Sequence, residues 1–328
     1  MNIPKKPALI SLLLFGAGCV FALLQSQHIA SLQEAEKQQR FGLLVDQSAQ
    51  QLVQRMQTYE YGLRGARGAI MTAGRDGISR EKFLTYSRSR ELQREFPGSR
   101  GFGFIRRVSP EQEAGFLKAA RADGKPEFRI RQLTPHAADR LVIQYIEPEA
   151  NNREAVGLDI ASEANRRNTA MTAIRDNAPT LTHPITLVQA QGLPKRGLLL
   201  LLPIYQPGEP IGSPEERWQA TYGLAYTPLL IDEVLAGFDL NSGAYSISLY
   251  DRDYATSPDR FFQSVGAEEP VIDGLIKQIN IQLYGREWTV EVKARGSFVA
   301  ALNHQDENKV ALAIVFGSAL TAAILFLI

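Results

Sequence analysis

GLLLLLPIY, residues 197–205, is the stretch on which the reading of the fold turns. Its five consecutive leucines, Leu198 to Leu202, show no apolar–polar alternation, so the run reads as a strand buried on both faces. Just upstream, residues 181–189 read as a partner strand, joined through the turn Gln191-Gly192-Leu193-Pro194. Further upstream, strands and helices alternate. Residues 102–108, 128–132, 141–146 and 156–160 are β-like, and Ser109-Pro110-Glu111-Gln112 is a helix start with proline in the first turn. A polar helix covers residues 162–177, and Ser79 caps another that runs to Phe96, before Pro97-Gly98. Downstream, a Pro- and Gly-rich loop (206–216) leads to a strand over 218–226, and Pro228 opens a helix ending at Gly237. Segments 244–250, 261–265, 276–283 and 288–294 are again β-like. The pattern predicts an α+β unit over residues 75–227 and a smaller, strand-rich unit over 228–309.

Two uncharged apolar runs bracket these units: ALISLLLFGAGCVFALL at 8–24 and VALAIVFGSALTAAILFLI at 310–328. Each has about the length that crosses a bilayer. The first run has two readings, a cleavable signal peptide and an uncleaved anchor; the lack of a small-x-small site after Leu24 favours the anchor. Lys5 and Lys6 keep the amino terminus inside, which places residues 25–309 outside the inner membrane. Between the first span and Gly74 lies a helical stem, residues 25–74. Apolar or small residues recur there at Phe41, Val45, Ser48, Leu52, Met56, Tyr59, Leu63, Ala66 and Ile70, close to a heptad. With the span, this predicts a helix of at most about 60 residues, some 90 Å long. The stripe either packs on the chain's own domain or forms a dimerisation stem, and both readings stand.

The composition excludes several classes. Of 328 residues, 45% are hydrophobic and 22% charged, which is ordinary for a folded chain. Thirty-six basic against 35 acidic residues give a net charge of +1, so no basic field argues for nucleic acid. One cysteine, Cys19, allows no intrachain disulfide and no cysteine-based zinc site. The four histidines have no metal-pair spacing, and no nucleophile-elbow motif accompanies His183. Gly101-Phe102-Gly103-Phe104 lacks the third glycine of a dinucleotide fingerprint. The chain therefore calls for no catalytic residue, metal or cofactor. Asp159 is the exception worth weighing: it ends an apolar strand and precedes a helix. It serves either as a helix N-cap or as a carboxylate turned toward a ligand's donors. Leu181-Thr182-His183-Pro184 follows, where the proline makes the strand end irregularly and leaves backbone groups available.

In this order, several motifs resemble the CHASE sensor domain. They are Gly101 to Ile105 with Arg107-Val108, FLKAARADGKPEFR at 116–129, Tyr145 to Pro148, Gly157-Leu158-Asp159, Leu181-Thr182-x-Pro184, and Leu198 to Tyr205. The match covers residues 75–227 well and the flanks more loosely. The resemblance implies an α+β fold: a long helical stem, then two PAS-like units with antiparallel sheets, between two transmembrane helices. It implies a homodimeric membrane receptor whose distal unit holds a small molecule, in plant members an N6-substituted adenine (a cytokinin). On that reading the pocket aspartate is Asp159 and the backbone-contacting leucine is Leu181, with Thr182 beside it; Tyr145, Leu199 and Leu201 line the site. Leu201 stands where plant receptors carry a threonine, which makes the pocket more apolar. The turn after Gln191 is also a few residues longer.

The leading expectation is thus a two-span sensor in the inner membrane, with no enzymatic activity in these residues. It is expected to form the sensory part of a longer histidine kinase, diguanylate cyclase or phosphodiesterase. A tethered exported enzyme and a purely structural interaction module are the alternatives.

Overall fold

A computed structural model describes residues 5–74, 77–187, 196–238, 243–252, 259–264, 270–304 and 306–327. Helix α1, Lys5–Thr72, runs without interruption for 68 residues, longer than expected because it begins before the apolar run. No proline lies between Ala8 and Thr72 to break it, and Gly74, at φ +86°, follows its end. Two short helices, α2 (Arg80–Arg88) and α3 (Leu92–Glu95), replace the single helix expected to run to Phe96.

Six strands build the first sheet: β1 (Phe102–Val108), β2 (Arg140–Glu147), β3 (Thr180–Leu181), β4 (Ile185–Thr186), β5 (Arg196–Tyr205) and β6 (Thr221–Leu230). Their order is β2-β1-β6-β5-β3, with β4 also on β5, and every pairing is antiparallel. Helices α4 (Glu113–Ala122), α5 (Ala164–Asp176) and α6 (Pro214–Ala220) belong to this unit. After the short α7 (Ile231–Val234), a second antiparallel sheet follows in the order β8-β7-β10-β9. Its strands are β7 (Tyr245–Asp251), β8 (Asp259–Gln263), β9 (Val271–Leu283) and β10 (Arg286–Arg295). Helix α8 (Gly296–Ala301) leads to α9 (Glu307–Leu327).

Several local expectations need correction. Residues 128–132 and 156–160 are not strands; they meet in single bridges, Arg131 with Leu158 and Val142 with Asp159. Trp218 lies in α6, because Ser213 caps that helix through the Glu216 N–H while Glu216 accepts from the Ser213 N–H. Pro228 lies inside β6, opposite Leu199, rather than opening a helix. Leu199 directs its own N–H and C=O to Thr182, so Pro228 faces away from β5, beyond the last β1 pair. The turn expected at Gln191 to Pro194 lies outside the described residues.

The stem stripe is buried in its own chain. Phe41, Val45, Ser48, Leu52, Met56, Tyr59, Leu63, Ala66 and Ile70 are each at most 3% exposed. Phe41 meets Phe298 edge-on at 5.9 Å, while Tyr59 donates to the Pro97 carbonyl, so α1 backs both sheets. At roughly 1.5–3 kcal/mol per large apolar side chain removed from water, this stripe accounts for the stem's position. The opposite side of the first sheet packs Ile105, Ile143, Leu199, Leu201, Leu224 and Tyr226 against α5 and the segment 155–161. In the apolar segments, α1 and α9 approach closely: a Cβ on Gly18 would lie 2.0 Å from the Ser318 hydroxyl oxygen. Both helices are long and apolar enough to cross a membrane.

Candidate functional site

Asp159 is fully buried, and its carboxylate carries four hydrogen bonds among the described residues. Oδ1 accepts from the backbone N–H groups of Leu141 (2.9 Å) and Ala161 (3.0 Å). Oδ2 meets Gln132 Nε2 at 3.1 Å and His136 Nε2 at 2.8 Å. One oxygen therefore serves backbone: it caps the 3-10 turn Ile160–Ser162 and pins the start of β2. The other serves two side chains from the segment between α4 and β2. The cap reading is thus realised, and the second oxygen shows what the carboxylate can also do. It binds donors brought to it by exchangeable side chains.

Asp159 lies along the outer margin of β2, whereas Leu181 and Thr182 form the opposite margin beside β5. The 3-10 turn and α5 connect the two. The Asn165 side chain accepts from the His183 N–H at 3.1 Å and donates to its carbonyl at 3.3 Å. Thr182 repairs the ladder where Pro184 breaks it: its N–H donates to Leu199 O at 3.0 Å, and its Oγ1 accepts from Leu199 N–H at 2.9 Å. Leu181 directs its N–H to the Tyr284 carbonyl at 3.0 Å. Leu199 and Leu201 belong to the apolar layer beneath α5. Tyr226 lies in the same layer, and its hydroxyl is buried with no hydrogen-bond partner among the described residues. Burial raises the Tyr226 phenol well above its ordinary value.

Tyr145 and Leu181 belong to the layer that faces the stem, not to the layer of Leu199 and Leu201. The Tyr145 hydroxyl lies 2.5 Å from Asp123 Oδ2, and the same carboxylate accepts the Arg80 N–H at 2.9 Å. Burial, then the adjacent Asp123 carboxylate, raises the Tyr145 phenol. The six expected residues thus fall in four places: Asp159 at one margin, Thr182 at the other, Tyr145 and Leu181 on the stem face, and Leu199 and Leu201 on the opposite face.

A further cluster was not legible in the sequence. Asp251 of β7 is fully buried; Arg286 Nη2 lies 2.5 Å from its Oδ1, and His183 Nδ1 lies 3.2 Å from its Oδ2. This joins the β3–β4 connection of the first sheet to β7 and β10 of the second. Only His183 stood out beforehand, and no spacing linked it to residues 68 and 103 positions away.

Comparisons with known proteins follow from this geometry. No curated protein matches the chain. Among solved structures, the periplasmic sensory domain of the Campylobacter jejuni chemoreceptor Tlp1 aligns with a TM-score of 0.38 and 11% identity, over 86% of this chain and 95% of that one. The family model for the CHASE domain, a sensory and non-catalytic domain, matches residues 76–262. That span takes in the Asp159 cap, the Leu181-Thr182 margin, the five-leucine strand and the start of the second sheet. More than half of the sequence follows that pattern, and the chain belongs to the CHASE-domain family.

Proposed function

We propose that this protein is a two-span inner-membrane sensor with residues 25–309 outside, which binds a small molecule in its distal unit and relays binding through the stem. The CHASE match supports the sensory part, and the two apolar helices that flank the domain support the topology. The observation that carries the ligand site is the divided role of Asp159. Its Oδ1 is committed to backbone, while its Oδ2 is held only by Gln132 and His136. A ligand with an N–H donor edge, such as an N6-substituted adenine, takes their place on Oδ2. Its body lies against Leu199, Leu201 and the unpartnered Tyr226 hydroxyl, with Leu181 and Thr182 at the far margin. Exchanging two loop donors for ligand donors changes where the loop sits, and that differential contact is what couples binding to conformation.

The sensor is proposed to act as a homodimer and to serve a histidine kinase, diguanylate cyclase or phosphodiesterase. The buried stripe is spent within the chain, so the dimer uses the exposed face of α1. There Leu43, Gln47, Gln50, Gln54, Gln57, Tyr61, Arg64, Gly68 and Met71 follow alternating four- and three-residue steps. The test is calorimetric titration of the full chain in lipid nanodiscs with N6-substituted adenines and a metabolite panel. Binding that Asp159→Ala weakens supports the site; equal binding by Asp159→Ala, or none by wild type, removes it.

A further inference from the structure

A cavity of about 530 Å³ opens on the stem side of the first sheet, between α2, α4, β1 and β2. Arg106 of β1 projects into its lining. The guanidinium stacks on Tyr222, 3.5 Å from the ring centroid. It has no hydrogen bond and no ion pair among the described residues, and its Nη1 is buried without a partner. A guanidinium carries five N–H donors and never deprotonates in a protein, so holding one out of water with no acceptor is costly. Its neighbour Arg107 is fully engaged, with Asp139 at 2.7 Å and with the Trp218 carbonyl. The contrast isolates Arg106 as the uncommitted cation.

The rest of the lining is arranged around it. Lys82, on the exposed face of α2, adds a second positive charge with no ion pair of its own among the described residues. Asp123 is the acidic group in the lining, and its oxygens are already taken by the Arg80 N–H and the Tyr145 hydroxyl. A register shift helps: Phe104 pairs with Tyr145 but Ile105 pairs with Ile143, so Gln144 is the extra residue of a bulge. Gln144 and Tyr145 then line the same cavity, joined by a 2.9 Å hydrogen bond. Burial also lowers the Arg106 pKa, which marks the same lack of a counter-charge.

We propose that this cavity is a second ligand site, for a small organic carboxylate whose oxygens bind Arg106 in a fork and whose apolar body lies between Phe116 and the edge of Tyr222. Guanidinium and carboxylate match bidentately, and the aromatic walls favour a ligand with a carbon body over inorganic phosphate. Because Lys82 lies on α2 and Arg106 on β1, the bound anion joins a helix next to the stem's upper end to the sheet.

The experiment is calorimetric titration of the full chain in nanodiscs with benzoate, with pyruvate and, separately, with inorganic phosphate. At least one carboxylate is expected to bind. Arg106→Gln is expected to weaken it by about tenfold or more, and Lys82→Gln by about two- to fivefold, with affinity falling as salt rises. Lys82 is exposed on a helix surface, so its variant keeps the fold and tests the site even where Arg106→Gln does not. Binding of phosphate but neither carboxylate, binding of none of the three, or undiminished carboxylate binding in both variants overturns the proposal. Lys82→Gln, at an exposed residue outside the Asp159 site, is titrated with the N6-substituted adenines as well; weakened carboxylate binding with unchanged adenine binding reads the two sites separately.

Discussion

The backbone N–H of Leu181 donates to the carbonyl of Tyr284 at 3.0 Å. That bond ties the margin of the first sheet to the two-residue turn between β9 and β10. Tyr284 and Gly285 have φ of 49° and 79°, the positive pair that a tight hairpin turn of this hand requires. Gly285 meets the condition freely, and a Cβ there would lie only in ordinary contact, 3.6 Å from Thr180 Cγ2. Gly285→Ala therefore costs conformational strain alone, roughly 1–2 kcal/mol. Urea unfolding of the full chain in detergent measures it. A loss under about 0.3 kcal/mol would show that the turn does not hold the junction.

A second tie between the sheets is ionic. Asp251 is fully buried against Arg286 and His183. Removing the carboxylate takes a short, buried ionic partner from the Arg286 guanidinium, so Asp251→Ala is expected to cost about 3–5 kcal/mol. Equilibrium unfolding of the variant checks this, with Asp251→Ala/Arg286→Met expected to recover much of the loss. A double variant no better than the single one would refute the ionic account.

The stem has two faces with opposite sensitivities. Met56 is 0% exposed, and Met56→Ala is expected to cost about 2–5 kcal/mol. Leu43 and Tyr61 are 50% and 70% exposed, and charging both (Leu43→Glu with Tyr61→Glu) is expected to change stability by less than about 1 kcal/mol. The same pair is expected to convert the proposed dimer to monomer in sedimentation velocity. An unchanged sedimentation coefficient would place the dimer contact elsewhere.

Glu147 is 8% exposed, and burial first, then the nearby Glu149 carboxylate, raises its pKa. The folded chain therefore holds this proton more tightly than the unfolded one. The resulting stability is fully present below the ordinary carboxylate pKa and is lost as pH rises through the raised one. At neutral pH the ionised side chain works against folding. Glu147→Gln, which keeps an oxygen for the Glu149 N–H, is expected to raise the melting temperature at pH 7 and to leave it unchanged near pH 4. An equal gain at both values would point to packing instead.

Much of this architecture was legible in the sequence, and for a physical reason. Burial leaves a period, so every member of the stripe from Phe41 to Ile70 could be named from spacing alone. The five leucines of β5 were equally plain, because layers on both sides remove any need for alternation. The sequence could not say which way the stripe faced, since heptads describe a seam and not the partner across it. Pro228 misled because the pairing of Leu199 with Thr182 acts through residues distant in the chain. Trp218 misled although its signal is local, a capping box between Ser213 and Glu216 inside the stretch read as a loop. At the candidate site, Asp159 stood out as a carboxylate in an apolar run. Its partners His136 and Gln132 did not, because polar residues in a connecting segment carry no periodic signal. Arg106 carries no periodic signal either, and only the fold shows that its guanidinium has no counter-charge among the described residues.

On the topology proposed above, the unbroken course of α1 limits the kind of message that can reach the membrane. Above residue 24 the rod is about 70 Å tall at 1.5 Å per residue. A sideways shift of about 1.2 Å at its top is a tilt of only about one degree at its foot. Tilting thus dilutes a ligand-sized rearrangement almost to nothing. Sliding along the axis, or turning about it, arrives undiminished, because a hydrogen-bonded helix neither stretches nor untwists cheaply. The place to look for such a movement is where Gly18 lets α1 touch Ser318 of α9. An axial step of one or two ångströms there would bring new side chains into register between the two spans.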